Sequence, residues 1–208
     1  MIDLYSWQTS NGRKVSIALE EMGLPYTVHP INIGADDQFS DEFTALNPNQ
    51  KIPAIVDLDG PDGEPISVFE SGAILIYLAR KSGYFLPGDP REEYETLQWL
   101  MLQMGGIGPI FGQVHHFKRA AKEPVPYALE RYGNECLRLY EVLNKRLVDN
   151  EFIAAGQYTI ADMAIFPWVA RYEWQDIDLA WFSNVQRWYE NIAERPAVSR
   201  GMLVPPRP

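Results

Sequence analysis

The first third of the chain alternates strand and helix patterns, and this order constrains the fold more than any other feature. Residues 2–5 alternate apolar and polar side chains, which predicts a short strand. After a polar turn, apolar residues recur at helical spacing until Gly23 and Pro25 end the helix. Residues 26–33 predict a second strand, and Pro30 within it favours a sheet edge. Because strand–helix–strand units are right-handed, we expect these two strands to pair in parallel.

The next part of the chain has the pattern of a hairpin followed by a helix. Residues 54–56 and 66–69 both have strand character, and the turn-forming residues 59–63 separate them. These two strands are therefore expected to be antiparallel. Ser71 then stands where a helix cap belongs, ahead of an apolar helical pattern. The order βαβ followed by ββα is the thioredoxin-like arrangement, so we predict an α/β domain of that kind over residues 1–82.

The remainder of the chain predicts helices only. Residues 83–90 are rich in glycine and proline and predict a linker. Beyond them apolar residues recur at helical spacing without a convincing strand, so residues 91–208 are predicted to form an all-helical C-terminal domain. Within it, Thr159 and Asp162 form a capping box that starts an apolar helix, a feature we interpret as structural.

Composition excludes several classes of function. The formal net charge is −10, from 18 basic and 28 acidic residues, and such a surface repels nucleic acid and anionic lipid. No apolar run approaches the ~20 residues that span a bilayer, and the N-terminus lacks the pattern of a signal peptide. The one cysteine, Cys136, forms no internal disulfide, which suits a reducing compartment. We therefore expect a cytoplasmic protein without nucleic-acid or membrane partners.

The loop after the first strand is where thioredoxin-like domains place their redox chemistry. Thioredoxins have two cysteines there, whereas this chain has Thr9, Ser10 and Asn11, and Cys136 lies in the other predicted domain. A helix N-terminus favours a thiolate, and the Thr9 hydroxyl and the Asn11 amide are suited to donate hydrogen bonds to one. If thiol chemistry occurs, a ligand must supply the sulfur. The alternative is that Ser10 or Asn11 only caps the helix.

Two further segments have the chemistry of a peptide-binding site. A cis bond between Ile52 and Pro53 would leave the Ile52 backbone groups to pair with an extended peptide; the alternative is a simple strand start at Pro53. At the next predicted helix start, the Ser71 hydroxyl and unpaired amides suit a carboxylate, and Glu70 suits an ammonium. Together they match the head group of an α-amino acid. The alternative for Ser71 is an ordinary cap.

These segments, in this order, resemble the glutathione transferase superfamily, and the resemblance covers essentially the whole chain. It rests on residues 47–54, residues 69–74 and the late capping box. Finer features are similar to the bacterial Nu class, whose members are glutathione-dependent disulfide-bond reductases. These features are residues 9–12, 34–39, 113–117 and 130–132.

The resemblance implies glutathione as co-substrate and assigns roles to particular residues. The γ-glutamyl end would bind at Glu70 and Ser71, and the cysteinyl backbone at Ile52 before a cis proline. The remaining assignments are Gln38 and Lys51 for the other polar groups of glutathione, Thr9 and Asn11 for the sulfur, and Arg131 reaching the site across a dimer interface. The resemblance also implies a homodimer whose sites each hold two thiols or one glutathione disulfide, and a small disulfide as substrate. By itself, Arg131 has the pattern of an exposed helix charge.

Other candidate residues have simpler interpretations. His115 and His116 point ~100° apart on a helix and have no ligand partner at metal spacing, so we expect packing or gating and no metal. Residues 105–108 are glycine-rich without the lysine of a phosphate loop, and predict close helix approach or a kink. Tyr5 is a weaker alternative to Thr9 and Asn11 as the group that faces the sulfur.

The sequence thus predicts glutathione-dependent reduction of small or mixed disulfides by a bound glutathione thiolate. Two alternatives stay open at this point. One is a transferase or peroxidase that uses the same thiolate on an electrophile or hydroperoxide. The other is a non-catalytic module that keeps the fold for protein interaction.

Overall fold

The polypeptide divides into two units in a computed structural model that describes residues 1–206. One unit comprises Met1–Leu86 together with the C-terminal segment that begins at Glu194, and the other comprises Pro87–Ala193. The sequence predicts a helical domain over residues 91–208, whereas the segment from Glu194 packs with the N-terminal unit. The contacts that place it there are given below.

A four-stranded mixed sheet forms the centre of the N-terminal unit. Its strands lie in the order β2-β1-β3-β4, so β2 is at an edge, as its proline predicts. Strand β1 pairs with β2 in parallel and with β3 antiparallel, and β3 pairs with β4 antiparallel. The strand bounds are β1 Ile2–Ser6, β2 Tyr26–Pro30, β3 Ala54–Asp57 and β4 Ile66–Phe69.

Four helices accompany this sheet. Helix α1 ends at Gly23, whose φ of 63° is the left-handed conformation that favours glycine after a helix. The short helix α2 has no counterpart in the sequence prediction, and Ser40 caps it by accepting a hydrogen bond from the Phe43 amide. The helix bounds are α1 Ser10–Met22, α2 Asp41–Leu46, α3 Ser71–Ser82 and α9 Pro196–Gly201.

Close contact between α9 and α1 explains why the C-terminal segment belongs to this unit. A Cβ at Gly201 would lie 2.6 Å from the Ile17 Cα, so only glycine permits this approach. The Ser16 hydroxyl donates to the Gly201 carbonyl at 2.7 Å. Two ion pairs add to the contact, Arg195 with Glu21 and Arg200 with Glu20, both at 2.6 Å.

The second unit is helical. Within Pro87–Ala193, all of which the structure describes, β structure is limited to an isolated bridge between Ala154 and Gln157. Two π-helical turns, Gln103–Ile107 and His116–Ala120, flank α5. The helices are α4 Pro90–Leu102, α5 Gly108–His115, α6 Pro126–Arg146, α7 Ile160–Val169 and α8 Ser183–Ala193. The predicted fold class, a thioredoxin-like domain plus a helical domain, is confirmed.

Two glycines of α5 allow close packing inside the helical unit. Positions for a Cβ on Gly108 and Gly112 lie 3.6 Å and 3.4 Å from the Trp168 ring. Gly108 also approaches the Gln103 side chain, where a Cβ would lie 2.8 Å from Nε2. Of the predicted glycine-rich residues 105–108, Gly108 makes a close approach, whereas a Cβ on Gly105 would meet nothing within 4 Å. Across residues 1–206, none of the helices has the length and apolar character that a membrane span requires.

The predicted capping box is present at the start of α7 and does more than cap. The Thr159 side chain accepts from the Ala161 amide, and the Asp162 carboxylate accepts from the Thr159 amide at 2.9 Å. The other Asp162 oxygen accepts from the Ile153 amide at 2.9 Å and from the Trp188 indole at 2.8 Å. One fully buried carboxylate therefore joins the loop before α7, the helix itself and α8.

We expect Asp162→Asn to lower the free energy of unfolding by about 2–3 kcal/mol, because the new amide nitrogen must face an N–H donor. Denaturant titration at pH 7.5 measures this, above the pKa of about 6 to which burial raises this carboxyl. Asp178→Asn is the control, since the exposed Asp178 accepts one bond, from the Ala180 amide, and should cost less than about 1 kcal/mol. Equal effects of the two changes would contradict the joining role of Asp162.

Candidate functional site

The register of the sheet brings three of the predicted site segments to one end of the strands. Tyr5 of β1 pairs with Ala54 of β3, and Ala54 pairs with Phe69 of β4. The chain leaves β1 after Ser6, enters β3 at Ala54 and leaves β4 after Phe69. The start of α1, the turn before β3 and the start of α3 therefore lie at the same end of the sheet, where β1 and β4 finish and β3 begins.

Thr9 is the N-cap of α1. Its hydroxyl oxygen accepts a hydrogen bond from the Gly12 amide at 3.1 Å, so Thr9 caps the helix rather than Ser10 or Asn11. Capping uses only a lone pair, and the hydroxyl keeps its hydrogen to donate. Asn11, half-buried, is the second residue of the helix. The cap and a hydrogen bond to a ligand sulfur are thus compatible at Thr9.

Gly12 allows α1 to begin directly against the end of β1. A Cβ on Gly12 would lie 2.3 Å from the Trp7 carbonyl oxygen and 2.4 Å from the Ser6 Oγ. Any larger residue would push the first turn of α1 away from this end of the sheet. This close approach fixes the position of the Thr9 hydroxyl relative to β1.

The turn before β3 is held by the buried Asn47 side chain. Its Nδ2 donates to the Lys51 carbonyl at 2.6 Å, and its Oδ1 accepts from the Asn49 amide at 2.9 Å. Gln50 has a φ of 55°, in the left-handed region that non-glycine residues rarely adopt. Backbone strain of this kind clusters at ligand-binding sites.

The residue after this turn presents backbone groups without partners. The Ile52–Pro53 peptide bond is cis. Among residues 1–206, neither the N–H nor the C=O of Ile52 has a hydrogen-bond partner. They suit pairing with an extended peptide. The Lys51 side chain beside them is exposed.

Glu70 and Ser71 stand at the start of α3, but not in the roles that a simple cap would give them. Glu70 occupies the N-cap position with φ 68° and ψ 114°, and Ser71 is the first helical residue. The Glu70 side chain makes no capping hydrogen bond to the first amides of α3. An exposed carboxylate, a hydroxyl and amides that Glu70 leaves uncapped therefore meet at one helix N-terminus, which suits a ligand that carries both an ammonium and a carboxylate.

Lys14 belongs to this site although the sequence analysis did not select it. Its side chain is only 1% exposed, and its Nζ lies 3.3 Å from the Ser71 Oγ. Burial lowers the pKa of Lys14 to about 7, against the opposing effect of Glu70. A signal was present, since Lys14 is in helical phase with the buried Ala18 and Met22.

Gln38 lies on a 3-10 turn, Asp37–Phe39, of the same unit. Its Nε2 lies 3.4 Å from the Asp36 carboxylate. Its Oε1 is enclosed and has no hydrogen-bond partner in the part of the chain that the structure describes. A buried acceptor of this kind calls for a partner, and a ligand N–H would satisfy it.

Arg131 is in the helical unit and is exposed on α6. It lines a cavity of about 550 Å³ there. Nearby, Glu135 forms a two-bond ion pair with Arg138. The structure groups the other predicted site residues in the N-terminal unit, and Arg131 is not among them.

Tyr5 lies within β1, as the sequence analysis expected. Its ring stacks on His29, with centroids 4.6 Å apart, and both line a cavity of about 240 Å³. Burial and the neighbouring Asp3 and Glu42 raise the pKa of Tyr5. A raised pKa makes its phenolate scarcer, and the tyrosine is held in a different set of contacts from Thr9.

Cys136 and His115 both lie in the helical unit, and burial shifts the pKa of each away from its usual value. Burial raises the pKa of the Cys136 thiol to about 12, so it provides no thiolate near neutral pH. His115 stacks on Trp168 and lies 3.1 Å from Gln175 Nε2. Burial, Arg171 and Arg119 lower the pKa of His115 to about 4. These contacts favour packing, and no group of three His, Cys, Asp or Glu side chains among residues 1–206 suits a metal ion.

Comparison with known proteins decides the family. The family model for the glutathione S-transferase N-terminal domain matches residues 10–81, and that for the C-terminal domain matches residues 114–196. The chain belongs to the glutathione transferase family. Disulfide-bond oxidoreductase YfcG of Escherichia coli strain K12 is 50% identical over 204 residues, covering 98% of this chain and 95% of that protein. The family and the Nu-class resemblance that the sequence predicted are both confirmed.

Two solved glutathione transferases share the fold closely. One from Pseudomonas putida, with one glutathione disulfide bound per subunit, has a TM-score of 0.94 and 50% identity and covers 98% of this chain and 91% of its own. One from Burkholderia graminis, with two glutathione molecules bound per subunit, has a TM-score of 0.94 and 48% identity. That alignment covers 100% of this chain and 89% of the other.

We expect Glu70→Gly to have a free energy of unfolding about 1 kcal/mol higher than Glu70→Gln, because glycine adopts a positive φ without the steric cost that glutamine retains. Both variants lose the carboxylate, so both should bind glutathione more weakly than the unmodified protein. Denaturant titration and calorimetry measure the two effects. If the glycine variant is no more stable than the glutamine variant, position 70 stores no strain.

Proposed function

We propose that this chain reduces small or mixed disulfides with glutathione, and that glutathione supplies the reactive sulfur. The observation that carries the proposal is the placement of thiols. The one cysteine of the chain is buried in the helical unit with a pKa of about 12. The position that holds cysteines in thioredoxins carries Thr9 and Asn11 instead.

The proposed reaction is thiol–disulfide exchange in two steps. A glutathione thiolate attacks one sulfur of the substrate disulfide, which forms a mixed disulfide and releases the other half as a thiolate that takes up a proton. A second glutathione thiolate attacks the glutathione sulfur of the mixed disulfide and releases the second thiol. The products are one glutathione disulfide and two substrate thiols, so the electrons come entirely from glutathione.

Some of the site residues stabilise the glutathione thiolate, and others hold the rest of the tripeptide. Thr9 and Asn11 stabilise the thiolate at the positive end of α1. Only a moderate lowering of the thiol pKa is useful, because a lower pKa also weakens the nucleophile. The groups that hold the tripeptide are the Ile52 backbone, Glu70, Ser71, Gln38 and Lys51.

The relatives support this proposal through what they are and what they bind. YfcG is a disulfide-bond oxidoreductase, and the two solved transferases hold one glutathione disulfide or two glutathione molecules per subunit. Either occupancy places two glutathione sulfurs in one subunit, as the second step requires. We infer the same occupancy here, with a small disulfide as substrate and the cytoplasm, where thiols are kept reduced, as the location.

A homodimer, with Arg131 reaching the partner's site, is part of the proposal. Two faces with exposed apolar side chains favour an interface. Residues of α3 line one cavity of about 610 Å³ that includes Ala73 and Ile76. Residues of α4 line another of about 740 Å³ that includes the exposed Tyr94 and Met101.

Two alternatives use the same fold. A transferase or peroxidase would direct the bound thiolate at an electrophile or hydroperoxide. A non-catalytic module would not need the α3 amides that Glu70 leaves uncapped or the unpaired Ile52 backbone, so these features count against it. Parallel assays with a hydroxyethyl disulfide, an aryl halide and an organic hydroperoxide separate the first alternative, and calorimetry with glutathione separates the second.

We expect the hydroxyethyl disulfide to be the best of these three substrates, and expect Thr9→Val to slow its reduction by about tenfold or more through loss of a hydrogen bond to a charged sulfur. Oxidation of NADPH through added glutathione reductase measures the rate. Thr9→Ser keeps the hydroxyl and should retain most of the activity. Cys136→Ala should also retain it.

Each variant has an outcome that contradicts the proposal. A folded Cys136→Ala protein without activity would show that the protein's own thiol reacts. A Thr9→Val protein as active as Thr9→Ser would remove the hydroxyl from the mechanism. If the unmodified protein does not bind glutathione, the proposed function is wrong and only the assignment of the fold stands.

Mixed dimers test the role of Arg131. Thr9→Val and Arg131→Ala proteins, both expected to be slow, are dissociated and remixed, and if Arg131 acts across the interface, one site of each mixed dimer is intact. We expect recovery of up to about a quarter of the unmodified rate, since about half of the remixed dimers carry both subunits. If Arg131 acts within its own chain, remixing recovers nothing.

A further inference from the structure

Lys14 is the most unusual charged residue of the chain because it is almost completely enclosed. Lysine is almost never fully buried unless its ammonium has a specific partner, since leaving water costs the charged form. Lys14 is 1% exposed and is one of the largest fully buried side chains. Its Nζ lies 3.3 Å from the Ser71 Oγ, at the start of α3. A buried amine therefore lies directly beside the hydroxyl at the start of α3.

The charge state of Lys14 decides which way the Ser71 hydroxyl points. A lysine ammonium has three donors and no acceptor, so the Ser71 oxygen must accept from it and direct its own hydrogen elsewhere. A neutral amine has a lone pair and lets the hydroxyl donate back to Nζ. Only the charged form of Lys14 ensures that the hydroxyl of Ser71 is oriented to donate to a ligand.

The surroundings of Lys14 bring its pKa close to neutral pH, so that both its charged and its neutral form are populated there. Burial lowers the pKa of Lys14 to about 7, and the carboxylate of Glu70 acts in the opposite direction. Helix α9 also packs on α1, but Arg195, just before α9, and Arg200 within it pair with Glu21 and Glu20 in the last part of α1. A second carboxylate beside Ser71 would favour the ammonium further.

We propose that Lys14 is a positioning residue of the glutathione site: it orients the Ser71 hydroxyl toward the γ-glutamyl α-carboxylate and takes up a proton when that carboxylate binds. This inference rests on the proposed function, because it assumes that glutathione binds at Glu70 and Ser71. It adds a buried cation that recognises the carboxylate through Ser71. It also predicts that binding of the peptide depends on pH through a group that never touches the sulfur.

Calorimetry of the intact protein tests the proposal with S-methylglutathione, whose blocked thiol cannot release a proton. Titrations at pH 7.5 in buffers of different ionisation enthalpy give the number of protons taken up. We expect the unmodified protein to take up roughly half a proton or more per ligand, because the pKa of Lys14 starts near 7. Lys14→Met should abolish most of this uptake and weaken binding about tenfold or more.

A second ligand tests the same point without altering the protein. In the 4-aminobutyryl analogue of S-methylglutathione, a hydrogen replaces the α-carboxylate and the ammonium remains. We expect the unmodified protein to bind this analogue without the extra proton uptake, and Lys14→Met to bind it as well as the unmodified protein does. A lysine that only supports the fold would weaken both ligands equally.

Controls separate this inference from the proposed function. Lys145→Met removes one exposed lysine of α6 and should change neither proton uptake nor affinity. If S-methylglutathione binds but its proton uptake is the same with and without Lys14, or with and without the ligand carboxylate, the inference is wrong and the proposed function stands. If S-methylglutathione does not bind the unmodified protein, the proposed function itself is wrong.

Discussion

The pairing of β1, β3 and β4 decides the geometry of everything that follows. Because Tyr5, Ala54 and Phe69 lie in one row of the sheet, the starts of α1 and α3 and the turn before β3 lie at the same end of the strands. Strand pairing is cooperative, and slipping any strand by one residue would turn its buried face outward. The close approach at Gly12 then sets α1 against the end of β1 with no room for a side chain. The pairing of the strands thus sets where the polar groups at these two helix starts and this turn lie.

At this end of the sheet the protein has polar groups without hydrogen-bond partners in the described part of the chain, and a strained backbone conformation, both of which a purely structural element would avoid. The Ile52 backbone groups have no partners within residues 1–206, the Glu70 side chain does not cap the first amides of α3, and Glu70 holds a positive φ. At Asp162, by contrast, one buried carboxylate accepts four hydrogen bonds. The contrast has a physical reason if a peptide ligand completes the hydrogen bonds that the fold omits.

The sequence predicted the elements that have strong local signals and missed those that depend on distant contacts. The strands, the Gly23 stop and the Thr159–Asp162 box follow from periodicity and capping chemistry. The packing of the segment from Glu194 on α1 does not, because it depends on a missing Cβ at Gly201 meeting Ile17. Lys14 was missed for a similar reason. A lysine on an amphipathic helix is normally assigned to solvent, and only the tertiary packing of α1 with α3 shows that this one is enclosed.

If glutathione supplies the reactive sulfur, as proposed, the binding site must recognise a ligand whose sulfur changes state during the reaction. A protein cysteine would have to be reduced again after each turnover, whereas the oxidised product of the proposed reaction leaves as glutathione disulfide. The sulfur passes through thiolate and disulfide states, so contacts to it cannot hold the ligand firmly throughout. The constant parts are the peptide backbone and the γ-glutamyl head group, and these are the parts that Ile52, Glu70 and Ser71 would hold. A buried cation behind Ser71 fits this division, because it strengthens the grip on the carboxylate while leaving the chemistry at Thr9 and Asn11 unaffected.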